Sequence, residues 1–292
     1  MIIERAIERA RQLQRMREAE ERKAEAAAPA VAPKGLAVGH AHANFRPVEH
    51  PPESFLDFDR IDLKPVVCER NRILLAEGER DGLARAEPAY RLLRSRAQHC
   101  ISSGNWSCVG ITSPGPGEGK TVTALNLALS IAREKQRQVF LLDLDMRNPS
   151  VLRYVGATPA VQISEYLKGT ARPEQVLFTT NVDNLVMAGN REPVEGASEL
   201  LATQKLQELL GYIHRRSPGA LVLADLPPVT STDEALLVAP RIDALFLVVC
   251  EGLTRRDSLA RTLDLLSDCR VAGVILNRSA ETRGQDYYYY RY

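Results

Sequence analysis

Ile111–Ser130 reads ITSPGPGEGKTVTALNLALS. A short β-branched run enters a turn of alternating Pro and Gly. The turn ends in Gly119-Lys120-Thr121, and apolar residues then recur at helical spacing. The pattern predicts strand, glycine-rich turn, helix. Glycines in such a turn let backbone amides converge on an anion, and the helix start adds partial positive charge. A lysine and a hydroxyl at the same point add a mobile cation and a hard oxygen. The chemistry specified is the binding of a polyphosphate.

The spacing approaches GxxxxGK[ST], the P-loop signature. Pro114 stands where the signature has its first glycine, with Gly115 beside it. That departure removes one amide donor and stiffens the turn. The Gly-Lys-Thr end is intact. Gly115, Gly117, Glu118, Gly119, Lys120, Thr121 and Val122 are the predicted nucleotide contacts. Lys120 is expected on the β- and γ-phosphates, and Thr121 on Mg²⁺.

Outward from this loop, short apolar runs alternate with helical stretches. The runs are WSCVGITS, QVFLLDLD, NLVMAG, ALVLADLPP, DALFLVVCEG and VAGVILN. Between several of them lie TVTALNLALSIAREK, SELLATQKLQELLGYIHRR and RRDSLARTLDLLSDC, each read as helical. Near-continuous apolar strands separated by helices predict an α/β fold, a mostly parallel central sheet covered on both faces. Ligands of such sheets bind beyond the carboxyl ends of the strands. Two further strand ends are acidic. VFLLDLDMRNPS puts Asp143 and Asp145 at a tip, on the same side of the strand, followed by Arg147. LVLADLPP ends in Asp225, and Pro227 and Pro228 then stop the strand. Like charges gathered there call for a cation beside them.

The rest of the chain divides by composition. Residues 1–26 carry Ile3, Ala6, Ile7, Ala10 and Leu13 at three- and four-residue spacing, predicting an amphipathic docking helix. Residues 27–52 are rich in Ala, Pro and Gly and read as a linker, in which His40 and His42 find no further metal ligand. Residues 53–103 read as a lead-in with an oligomerisation helix, 104–278 as the catalytic domain and 279–292 as a mobile tail. The 292 residues suffice for a sizeable core. A net charge of +1 argues against a nucleic-acid partner. Five scattered cysteines, none in a CxxC, predict reduced thiols in a cytoplasmic protein. The longest clean apolar run, ALFLVVC, is far shorter than a membrane span.

Taken together, SPGPGEGKT, VFLLDLDMR and LVLADLPP resemble the Walker A, Walker A′ and Walker B motifs of the bacterial tyrosine kinases, P-loop enzymes of polysaccharide synthesis and export. A C-terminal tyrosine cluster completes the resemblance, which runs over residues 85–292. The leading helix, the linker and the isolated catalytic domain are similar to the exosortase-associated autokinases of that family. The resemblance implies ATP-dependent transfer of a phosphoryl group to tyrosine with Mg²⁺. Lys120, Asp143, Asp145 and Asp225 are the implied catalytic residues, with Thr121, Asp145 and Asp225 on the metal and Arg147 on the nucleotide. Asp143 is the first choice to orient or deprotonate the phenol, and Asp145 remains the alternative. The resemblance also implies a membrane-spanning chain-length (co-polymerase) protein as activator, a cognate tyrosine phosphatase, and self-assembly in a ring. The implied location is cytoplasmic, peripheral at the inner membrane through the partner. In the family an ExxRxxR helix assembles the ring. Here EPAYRLLR keeps Arg91 and Arg94, with Glu87 one residue further upstream and Pro88 in its place.

The tail SAETRGQDYYYYRY supplies the phenols: Tyr287, Tyr288, Tyr289, Tyr290 and Tyr292 are the predicted phosphorylation sites. Its fourteen residues extend roughly 45 Å, enough to enter a neighbour's site. Each phosphate adds about −1.5 to −2 charge, so modified tails repel one another and let go. Two rival readings use the same phosphate loop. One is a partition or division-site positioning ATPase, which normally carries a lysine where this chain has Gly115. The other is a non-catalytic adaptor switched by ATP.

Overall fold

The computed structural model describes residues 58–75 and 86–279. The docking helix predicted over 1–26, the linker and the five tail tyrosines lie outside the described residues. Eight strands form one sheet: β1 (Asp59–Arg60), β2 (Cys108–Thr112), β3 (Val139–Asp143), β4 (Phe178–Thr179), β5 (Leu185–Ala188), β6 (Leu221–Asp225), β7 (Ala244–Cys250) and β8 (Val271–Asn277). Their spatial order is β1-β4-β5-β3-β6-β2-β7-β8. Every pairing is parallel except β4 with β5. The expected mostly parallel sheet is present.

The sequence patterns explain the layering. β2, β3, β6 and β7 are buried along their whole length, as both-face coverage requires. Alternate residues feed two separate cores. Phe140, Leu142, Val222 and Ala224 pack on one face, and Val139, Leu141, Leu221 and Leu223 on the other. The second core also holds the Lys120–Ala132 helix, buried nearly all round because the Glu87–Gly104 helix covers its outer side. Leu125, Leu127 and Leu129 of that helix are fully buried, each contributing about 1.5–3 kcal/mol of transfer free energy. This packing holds the start of the helix, and so Lys120 and Thr121, against the sheet.

Three features differ from the linear reading or extend it. The lead-in is part of the same sheet and core, not a preface to it. β1 pairs with β4, Leu63, Cys68 and Ile73 are buried in the second core, and Asn126 receives a hydrogen bond from the Leu74 amide at 2.8 Å. The helical stretch over SELLATQKLQELLGYIHRR is two helices, Ala197–Ala202 and Lys205–Arg216. Thr203 breaks it by going extended, its hydroxyl donating back to the Leu200 carbonyl at 2.7 Å, a local alternative to the helical ladder. Pro88 sits in the first turn of the Glu87–Gly104 helix, where its missing N–H costs nothing. Within that helix Glu87 pairs with Arg91 at 3.3 Å, and Arg94 reaches Glu134 of the neighbouring helix at 2.8 Å. Arg94 is therefore engaged within the chain itself. None of the five cysteines is in a disulfide. No helix of the described residues is long and apolar enough to cross a membrane.

Candidate functional site

The strand order decides the geometry of the site. β6 lies between β2 and β3, so Asp225 pairs in register with Ile111 on one side and Asp143 on the other. The phosphate loop leaves β2 at the same edge. Three sequence segments more than twenty residues apart thus deliver their polar ends to one point.

Lys120 is at its centre, 9 % exposed. Its Nζ is 2.6 Å from Asp145 Oδ2 and 3.4 Å from Asp225 Oδ1. The Thr121 hydroxyl donates to Asp225 Oδ2 at 2.6 Å. Asp143 is completely buried; its Oδ2 accepts the Ser150 and Val151 amides at 2.9 and 3.0 Å, and its Oδ1 accepts the Asp145 amide at 3.2 Å. Asp145 Oδ1 accepts the Asn148 amide at 3.1 Å. The loop after β3 is thereby wrapped around its own two carboxylates. The predicted Lys120, Thr121, Asp143, Asp145 and Asp225 all converge.

Three buried carboxylates around one ammonium set the electrostatics. Burial raises Asp143, repulsion from Asp225 adds to it, and Lys120 opposes, leaving the carboxyl at about 8. Burial likewise raises Asp225, against the pull of Lys120 and the Thr121 hydroxyl. Burial lowers Lys120, but Asp225 and Asp145 more than offset it and hold the ammonium above its ordinary range. Lys120 stays charged at any physiological pH, with Asp145 and Asp225 as its direct partners. The hard oxygens gathered there suit Mg²⁺. With its proton committed to Asp225 and one lone pair accepting from Lys120 Nζ at 3.2 Å, the Thr121 hydroxyl keeps its other lone pair for a metal. Among the described residues no group of three or more His, Cys, Asp or Glu side chains is arranged as a self-sufficient metal cage. Mg²⁺ bound through one or two carboxylates plus substrate phosphates needs none.

The rest of the predicted set serves in other ways. Glu118 is a brace for the loop: its Oε2 accepts the Gly115 amide at 2.9 Å and its Oε1 accepts the Thr254 hydroxyl at 2.6 Å. Gly119 has φ +96°, and a Cβ there would collide with the Asn277 side-chain amide. That amide donates to the Glu118 carbonyl at 2.9 Å. Gly117, at φ +75°, takes a hydrogen bond on its carbonyl from Arg278 at 3.1 Å. Val122 is half-buried and packs against the second core. Arg147 Nε lies 2.6 Å from Glu234 Oε1. Thr254, Asn277 and Glu234 were invisible to motif reading. They carry no signature, and their partners are 136, 159 and 87 residues away in the chain.

Residues 109–289 match the family described as the CobQ/CobB/MinD/ParA nucleotide binding domain. The chain is 27 % identical over 220 residues to tyrosine-protein kinase YwqD of Bacillus subtilis, covering 73 % of this chain and 92 % of that one. It is 30 % identical over 191 residues to the putative tyrosine-protein kinase EpsB of Ralstonia solanacearum, covering 65 % of this chain and 25 % of that one. Among solved structures, the kinase domain of VpsO is 26 % identical with a TM-score of 0.59, covering 67 % of this chain and 99 % of that one. The kinase domain of the Escherichia coli tyrosine kinase ETK, at 22 % identity and TM-score 0.64, covers 83 % of this chain and 99 % of its own and shares the fold. The resemblance read from the three Walker-type motifs agrees with these similarities.

Proposed function

Because the chain belongs to the CobQ/CobB/MinD/ParA nucleotide-binding family, we propose that its strand-tip site is that of an ATP-dependent protein-tyrosine kinase acting on its own C-terminal tyrosine cluster. The observation that carries this reading is the convergence of Lys120, Asp143, Asp145 and Asp225 at one strand edge. The similarity to proteins named tyrosine-protein kinases supports it.

Phosphoryl transfer asks for positioning, charge neutralisation and a place for the hydroxyl proton. The amides of the Gly115–Gly119 turn and the Lys120 ammonium hold and neutralise the β- and γ-phosphates. Binding ATP draws Lys120 from Asp145 towards phosphate oxygens. Thr121, Asp145 and Asp225 would hold Mg²⁺, which supplies further neutralisation of the phosphate charge when bound. Asp143 takes the phenolic proton as the tyrosine oxygen bonds to the γ-phosphorus and the bond to the ADP oxygen breaks. Its Oδ1 accepts a single amide and retains a lone pair. A carboxyl poised near 8 is matched to general-base work near neutral pH.

In this reading the chain regulates exopolysaccharide or capsule synthesis from the cytoplasmic side of the membrane. A membrane-spanning chain-length protein activates it, and a phosphatase resets it. Incubating the full chain with ATP and Mg²⁺ is expected to yield phosphotyrosine at Tyr287–Tyr292. Lys120→Ala is expected to yield none. ATP hydrolysis without phosphotyrosine would refute the assignment.

A further inference from the structure

β8 is the outermost strand on its side of the sheet, and among the described residues it pairs only with β7. Its sequence, VAGVILN, has no charge and no proline, the usual guards of an exposed edge. A register shift disturbs the pairing only at its start, opposite Leu245 and Phe246, and the run from Gly273 to Asn277 is regular. The Asn277 carbonyl accepts the Glu251 amide at 3.0 Å, so Asn277 faces β7. Backbone alternation turns Gly273 and Ile275 the same way and points the amides and carbonyls of Val274 and Leu276 outward. No described strand meets them. The side chains beside this edge are uncovered as well. Of the four large apolar residues well exposed among the described residues, Leu253, Leu265 and Leu276 all lie between the start of β7 and the end of β8. An unguarded seven-residue edge with exposed leucines beside it calls for a covering strand.

The chain carries such a strand just downstream. Arg278, at φ +55°, takes the left-handed conformation found in hairpin loops. Arg278–Gln285 gives eight residues for a turn, and Asp286–Tyr292, DYYYYRY, then gives seven to match the seven of β8. Eight residues reach about 26–29 Å, well beyond the roughly 4.8 Å between neighbouring strands. Tyrosine is among the residues that strands favour most, and its rings supply apolar cover for the leucines. So short a tether also gives the segment a high effective concentration, an advantage over any free segment of equal affinity. We propose that DYYYYRY folds back on its own β8 as an antiparallel ninth strand, pairing with Val274 and Leu276. The pairing stands apart from the tyrosine-kinase reading; its consequence rests on that reading. Asn277 touches the phosphate loop, and an antiparallel return carries Tyr292 towards Val271, about 20 Å further along the strand. The docked phenols are thus withheld from the site of their own chain. Phosphates on the cluster, each adding about −1.5 to −2 charge, repel one another at strand spacing and release it.

Amide exchange followed residue by residue by NMR tests the pairing, on the full chain treated with phosphatase and free of nucleotide. With Asp286 opposite Asn277, Tyr287 and Tyr289 face Leu276 and Val274. Tyr287→Pro/Tyr289→Pro therefore removes the donors of the new ladder and leaves β8 unaltered in sequence. The Val274 and Leu276 amides are expected to exchange at least about tenfold more slowly in the wild type than in this variant, at rates independent of protein concentration. Ile275 and Asn277, which face β7, should change far less. Equal rates at Val274 and Leu276 in the two chains would overturn the proposal. Protection that disappears on dilution would place a second copy on the edge and overturn it equally. Phosphotyrosine is probed separately with ATP and Mg²⁺. Its absence would refute the kinase reading, while the exchange rates still decide the pairing.

Discussion

Gly119→Ala tests whether the last strand clamps the phosphate loop. Gly119 has φ +96°, a region that costs an L-residue about 1–2 kcal/mol. An added Cβ would also fall within contact distance of the Asn277 amide nitrogen and 3.3 Å from its Cγ. Asn277 must then swing away and give up its 2.9 Å hydrogen bond to the Glu118 carbonyl, worth about 0.5–1.5 kcal/mol. The sum is about 1.5–3.5 kcal/mol. In a domain of this size each kcal/mol lowers Tm by about 2–4 °C, so a fall of about 3–14 °C is expected in thermal unfolding followed by circular dichroism. Asn277→Ala alone forfeits only the hydrogen bond. In Gly119→Ala/Asn277→Ala the collision is gone and the hydrogen bond is lost once, so the double variant should be less destabilised than the sum of the singles. A Gly119→Ala protein melting with the wild type, or strict additivity in the cycle, would refute the clamp.

Asp143 makes stability depend on pH in an unusual direction. Its carboxyl is raised to about 8 in the fold, chiefly by burial. From its ordinary value near 4 up to about 8, the unfolded chain releases a proton that the native state retains. Stability therefore falls as pH rises through this window, by up to about 1.4 kcal/mol per unit, and levels off above it. Urea midpoints of the nucleotide-free chain should show this slope, and Asp143→Asn should flatten it; a slope unchanged by the substitution would count against the assignment. Thr254→Val removes the 2.6 Å donor to the buried Glu118 carboxylate, which should cost about 1–3 kcal/mol in chemical denaturation and weaken ATP binding measured by calorimetry. Lys120→Met should lower phosphotyrosine formation by at least about a hundredfold, while Leu127→Ala, in the core beneath the site, should lose about 2–5 kcal/mol of stability.

How much of this was legible beforehand follows from the range of each interaction. The phosphate loop is local: strand, turn, lysine, hydroxyl and helix are contiguous from Ile111 to Ser130, and each is dictated by neighbouring residues. The strands were legible because burial on both faces leaves nearly unbroken apolar runs. The acidic tips were legible because Asp143, Asp145 and Asp225 interrupt those runs at their ends. The break at Thr203 was not, since a hydroxyl folding back on its own helix looks like any other helical position. The inclusion of residues 58–75 in the sheet was not legible either, because a two-residue strand carries almost no periodicity.

By itself the sequence determined the layered parallel sheet and the polyphosphate chemistry at its strand tips, because both arise from short-range patterning. Only the tertiary structure decided that Asp225 lies between the loop strand and Asp143, that Thr254 and Asn277 lock the loop, and that Arg147 pairs with Glu234. Those pairings depend on strand order and on which side chains meet across gaps of roughly a hundred residues. Hydrogen bonds and ion pairs act over a few ångströms in space and leave no period along the chain.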